Sequence, residues 1–81
     1  MIDFSKVGKV IMTKRKEKNM TQDDLASHLY VTRQLVSKWE KGIGVPSIDV
    51  LIELTKLFSI SIDELLCLNE TIEIDESNIF S

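Results

Sequence analysis

Apolar residues recur three and four positions apart along most of the chain, and the recurrence falls into five short blocks. Phe4, Val7, Val10 and Ile11 make the first stripe, in a helix expected over residues 5–18. Leu25, Ala26 and Leu29 make the second, and Val36 with Trp39 the third. Val50, Leu51, Leu54, Leu57 and Phe58 form the fourth, followed by a short fifth through Leu65 and Leu66. From residue 70 the period changes. ETIEID alternates polar and apolar, with Ile72 and Ile74 on one side, as in a strand.

The polar residues between the blocks place the helix ends. Thr21, followed three residues later by Asp24, is the acidic form of a capping box: its hydroxyl accepts from a free N–H while the carboxylate reaches back. Thr32 is the expected N-cap of the third helix and Gly42 its stop. Pro46 disfavours a helical Val45, and Ser47 caps the fourth helix. Ser61-Ile62-Asp63-Glu64 repeats the capping-box spacing before the fifth, and Asn19 suits the C-terminal end of the first. Ala26 is small where a neighbouring helix would pass closely. The fold class expected is all-α: a five-helix unit over residues 1–68. Residues 69–81 form an acidic tail that either supplies an arm or edge strand to a partner subunit or stays solvated.

Eighty-one residues bound this to one small domain, for which dimerisation would add stability. The net charge of −3 argues at first against a nucleic-acid partner, but its distribution reverses that impression. Residues 1–41 hold nine Lys and Arg against five acids, and residues 42–81 hold one against eight. A basic half can face phosphates while the acidic half faces away. No apolar run approaches the ~20 residues of a membrane span, and no secretory h-region opens the chain, so the protein reads as cytoplasmic.

Catalytic and metal chemistry find little support. Cys67 is the one cysteine and reads as a small buried hydrophobe. His28 lies on the outer side of the second helix without a Cys or second His to complete a metal site, so no metal or cofactor is implied. Asp23-Asp24 favours a helix N-terminus and has no nucleophile beside it. The chain is not expected to be an enzyme or to bind a small molecule.

The segment TQDDLASHLYVTRQLVSKWEKG, residues 21–42, carries the chemistry. Its second helix turns Arg33, Gln34, Ser37 and Lys38 outward while Val36 and Trp39 face in. Arg and Gln can each grip a base edge in the major groove with paired hydrogen bonds. A short helix bearing them, held against a second helix, is a geometry that reads DNA.

In order along the chain come Arg15; Thr21-Gln22; Leu25-Ala26; Val31-Thr32-Arg33-Gln34; Val36-Ser37-Lys38-Trp39-Glu40; Pro46; Leu51 and Leu54; and Ser61-Ile62-Asp63-Glu64-Leu65-Leu66. On these features residues 7–66 resemble the lambda-repressor-like, Cro/CI-type helix-turn-helix family, also called XRE. The resemblance implies a compact five-helix domain that binds double-stranded operator DNA, usually as a dimer, and regulates transcription. It implies phosphate contacts for Gln22 and Thr32, and base or phosphate contacts for Arg33, Gln34, Ser37 and Lys38. It also implies a structural brace between Arg15 and Glu40. The expectation is a repressor acting as a homodimer on a pseudo-palindromic site, with Leu66, Leu68, Ile72 and Ile74 at the dimer surface.

Two departures from the family pattern stand out. Tyr30 stands where glycine is usual, so either a strained left-handed tyrosine or an altered turn is expected. Ile43 and Val45 stand where Lys or Arg is common, which weakens the phosphate grip or passes it to backbone N–H groups. The acidic half and these apolar residues support a second reading, a protein-interaction module such as an antitoxin or acidic anti-repressor.

Overall fold

The computed structural model describes residues 2–68. Five helices follow one another: α1 Phe4–Glu17, α2 Gln22–Leu29, α3 Arg33–Glu40, α4 Ile48–Phe58 and α5 Ile62–Leu65, with no strand among the described residues. The expected tail arm or strand lies outside the described residues.

Side-chain caps start every helix. Thr21 and Asp24 form the full reciprocal box on α2, with Thr21 Oγ1 accepting from the Asp24 N–H at 3.0 Å and Asp24 Oδ2 accepting from the Thr21 N–H at 2.9 Å. Thr32, Ser47 and Ser61 accept from the N–H three residues on. Asp3 caps α1 by accepting from the Ser5 N–H, so that helix begins at Phe4, one residue before the expected start.

Four of the helix ends share one device. Asn19, Tyr30, Gly42 and Ser59 are left-handed, and after each the next N–H reaches back to a carbonyl five residues earlier. This double closure satisfies carbonyls that the helix end would leave open. Tyr30 therefore takes the strained alternative, at φ 57° and ψ 40°, and the residue is 96% exposed. Cys67 is also left-handed and only half-buried, which corrects its expected place as a core residue.

The core joins Val7 and Ile11 of α1, Leu25, Ala26 and Leu29 of α2, Val36 and Trp39 of α3, Leu51, Leu54 and Phe58 of α4, and Leu65 of α5. Burying each larger side chain contributes about 1.5–3 kcal/mol, so one stripe per helix holds the unit together. Phe4 and Val10 sit at its margin. The main packing is of α1 and α2 against α3, with α4 and α5 paired beside them. α1 and α3 approach closely at Gly8 of α1. A Cβ there would collide with the backbone oxygen of Trp39 and lie 2.9 Å from that of Glu40.

Candidate nucleic-acid interface

Three helices converge on the Glu40 carboxylate at the end of α3. Arg15 of α1 donates from Nε to Oε2 at 2.7 Å and from Nη2 to Oε1 at 3.0 Å. Gln22, the first residue of α2, donates from Nε2 to Oε1 at 3.1 Å. The remaining Arg15 donor, Nη1, reaches the Met20 carbonyl at 2.8 Å, and the Met20 N–H returns to the Arg15 carbonyl. The turn at Asn19 makes both contacts possible by bringing Met20 back over the end of α1.

This cluster is almost dry, with the Arg15 and Glu40 side chains 9% and 4% exposed. Hydrogen bonding to Glu40 raises the Arg15 pKa above its ordinary value against the opposing effect of burial, so the guanidinium stays charged. A planar two-pronged pair fixes the angle of one helix to another more than it adds net stability. Gln22 is thereby placed inside the brace, with its amide nitrogen engaged, and not on the outer face of α3.

On that outer face, Arg33, Gln34, Ser37, Lys38, Lys41 and Ile43 line an open groove of about 280 Å³. Thr32 stands at the head of α3 with its oxygen accepting from the Leu35 N–H at 3.2 Å. Its hydroxyl proton is left for an acceptor such as a phosphate oxygen. Arg33 Nε lies 3.6 Å from Asp23 Oδ1, and both side chains are more than half exposed. Such a pair contributes little and opens readily. Neither Lys38 nor Lys41 has an ion-pair partner among the described residues.

Lys41 was absent from the sequence-derived set. Its signal was present, because residues 34, 38 and 41 follow the four-then-three spacing of one helix face. Ile43 is 70% and Val45 59% exposed, so the apolar substitutions of the loop lie open beside the groove. Gly42, at φ +75°, turns the chain into that loop, and an added Cβ would meet Ser5 Oγ at 2.8 Å. Its glycine is required for both reasons.

Comparison with known proteins agrees with this geometry. The helix-turn-helix family model matches residues 11–65. The HTH-type transcriptional activator BcrR of Enterococcus faecalis is 48% identical over 63 residues, covering 78% of this chain and 31% of its own length. The chain thus spans about a third of that relative. The ImmF control region 10 kDa protein of Bacillus phage phi105 is 34% identical over 65 residues, covering 80% of this chain and 72% of the phage protein. Among solved structures, the restriction-modification controller protein C.AhdI from Aeromonas hydrophila superposes with a TM-score of 0.69 at 27% identity, over 78% of this chain and 91% of that one. The clp gene regulator ClgR from Corynebacterium glutamicum shares the fold, with a TM-score of 0.72 at 18% identity over 98% and 90% of the two chains. The family match spans α2, α3, the braced Glu40 and the α4–α5 support, and the chain belongs to the helix-turn-helix family.

Proposed function

We propose that this protein is a sequence-specific regulator that binds double-stranded DNA with α3 in the major groove. The observation that carries the reading is the open groove where Arg33, Gln34, Ser37, Lys38 and Lys41 meet on a helix fixed from behind by Arg15 and Glu40. Arg33 suits guanine O6 and N7, and Gln34 suits adenine N6 and N7. Thr32, Ser37, Lys38 and Lys41 are placed to take phosphate oxygens or neighbouring base edges. Gln22 approaches phosphate by its backbone N–H at the start of α2 while its side chain stays with Glu40.

Residues 1–68 act in this reading as the DNA-binding unit, with 69–81 an acidic appendage. A single copy covers few base pairs, so the protein binds as a homodimer to half-sites about one helical turn apart. Half-buried Leu66 and Leu68 at the end of the described chain are the dimer contacts proposed here. The sign proposed is repression, because a rigid domain seated on a promoter excludes polymerase by occupancy.

A selection from random duplexes, followed by titration of the selected site across a salt series, tests the proposal. The expected slope is about −0.9 per phosphate contacted. Arg33→Ala should cost about 1–3 kcal/mol on the selected site and relax preference at one base pair. Absence of salt-dependent binding at low salt overturns the reading in favour of a protein-interaction module. A promoter–reporter fusion separates repression from activation.

A further inference from the structure

Three successive residues at the head of α2 turn to three different partners. Gln22 donates inward to Glu40, Asp24 reaches back to the Thr21 N–H, and Asp23 faces α3, with Oδ1 3.6 Å from Arg33 Nε. The first two contacts serve the brace and the cap. The third serves neither, and between side chains this exposed it adds little to stability. A carboxylate beside the groove also repels the phosphates that Lys38 and Lys41 would attract. Asp23 is a charge of the wrong sign for a surface that only gathers DNA.

What the carboxylate controls is the guanidinium. Arg33 is the first residue of α3 and lines the groove, and its side chain carries its N–H donors in a rigid fork. Free to turn, that fork grips a phosphate as well as a guanine edge, because both offer two acceptors at matching spacing. Phosphate occurs at every step of a duplex, so such a grip carries no sequence information. Asp23 faces Nε, the donor at the root of the fork. Engaged there, Arg33 keeps its terminal Nη1 and Nη2 pair open, and that pair matches O6 and N7 of guanine. The carboxylate also keeps phosphate away from Nε. In water the pair opens readily, but a bound duplex displaces that water and strengthens the attraction between the two charges.

We propose that Asp23 is a positioning residue for base readout: it holds Arg33 by Nε so that the terminal edge of the guanidinium reads guanine and not phosphate. The inference rests on the reading of the α3 groove as the DNA-binding face. It adds to that reading a side chain that lowers affinity for DNA in general and raises discrimination at one base pair, since specificity is a difference between two affinities.

Four full-length proteins test this: the parent, Asp23→Asn, Arg33→Ala and the double variant. Each is titrated with the selected duplex, with single-base-pair variants of it and with a mixed-sequence duplex. The guanine in question is the one at which Arg33→Ala relaxes preference. Asp23→Asn should bind the mixed duplex about two- to threefold more tightly at low salt, and should lose about tenfold of the parent's preference for that guanine. In the Arg33→Ala background the same substitution should leave preference at that position unchanged, because no guanidinium remains to be placed. Tighter binding everywhere with the preference intact reduces Asp23 to a repelling charge and overturns the inference. Loss confined to a neighbouring base pair overturns it in favour of a direct contact from Asp23 to cytosine N4. Loss spread over every base pair of the site overturns it in favour of a structural role, and so does an Arg33→Ala protein that relaxes preference at no guanine. A parent without salt-dependent binding to any duplex rejects the DNA reading and this inference with it, whereas a parent that binds beside an Asp23→Asn protein of unchanged preference rejects this inference alone.

Discussion

Glu40 and Lys41 are neighbours in sequence at the end of α3, yet they belong to opposite kinds of surface. The Glu40 carboxylate is buried and holds three donated hydrogen bonds from two other helices. Lys41 is exposed and without an ion-pair partner among the described residues. One side of the helix has its polar groups matched within the fold, and the other offers polar groups to something outside it. In the proposed reading, precision on the outer face depends on saturation of the inner one, because a helix that rocked would carry its exposed side chains away from their partner.

The largest expected effect breaks the inner side. Glu40→Ala leaves Arg15 buried without its carboxylate and should destabilise the protein by about 3–5 kcal/mol, a large part of a small domain's stability. Urea unfolding followed by Trp39 emission measures it, and a cost under 1 kcal/mol removes the brace from the comparison. Gly8→Ala should cost about 1–3 kcal/mol in the same assay, since its Cβ can be accommodated only by moving α1 away from α3. Retained stability there means that the two helices slide freely, contrary to a fixed α3.

Tyr30→Gly relieves a left-handed side chain and should raise stability by about 0.5–1 kcal/mol, partly offset by the entropy of glycine. A lower melting temperature shows instead that the exposed ring has a stabilising contact. Lys41→Ala sharpens the outer half of the comparison. Stability should stay within about 0.5 kcal/mol of the parent, while the salt dependence of DNA binding loses about one phosphate. Equal salt slopes place Lys41 off the DNA path.

The smallest effect is one of pH. Hydrogen bonds from the Thr21 backbone and side chain hold the Asp24 carboxyl below its usual range. A lowered folded value means the stabilisation is full above the ordinary carboxyl pKa near 4 and fades as pH falls through the folded value. Asp24→Asn should therefore lose some stability at neutral pH and show a flatter acid limb. Parallel limbs for the two proteins exclude the α2 cap as a source of acid sensitivity.

Much of the fold was legible because its signals are local. Thr21, Thr32, Ser47 and Ser61 each sit beside the helix they cap, and the apolar stripes repeat within a few residues. What the sequence withheld was contact between distant elements. Gly8 inside a helix reads only as a weak helix former, and its value appears when the backbone of α3 lies against it. Arg15 and Glu40 are 25 residues apart, so family resemblance, not spacing, linked them. Gln22 resembles a phosphate contact in the sequence, and only the fold adds that its side chain also joins the brace. Lys41 was legible by helical spacing, but a turn residue beyond the last apolar position draws less notice.

Trp39 and Tyr30, within and just before α3, give the protein its own optical labels. Trp39, the sole tryptophan, is buried in α3, and Tyr30, the sole tyrosine, stands in solvent one turn before that helix begins. Excitation of the tyrosine with emission collected from the tryptophan reports the separation of the turn from the end of α3. A structural rearrangement of α3 on binding can thus be followed in the unlabelled molecule, without adding a dye to the surface that meets the ligand.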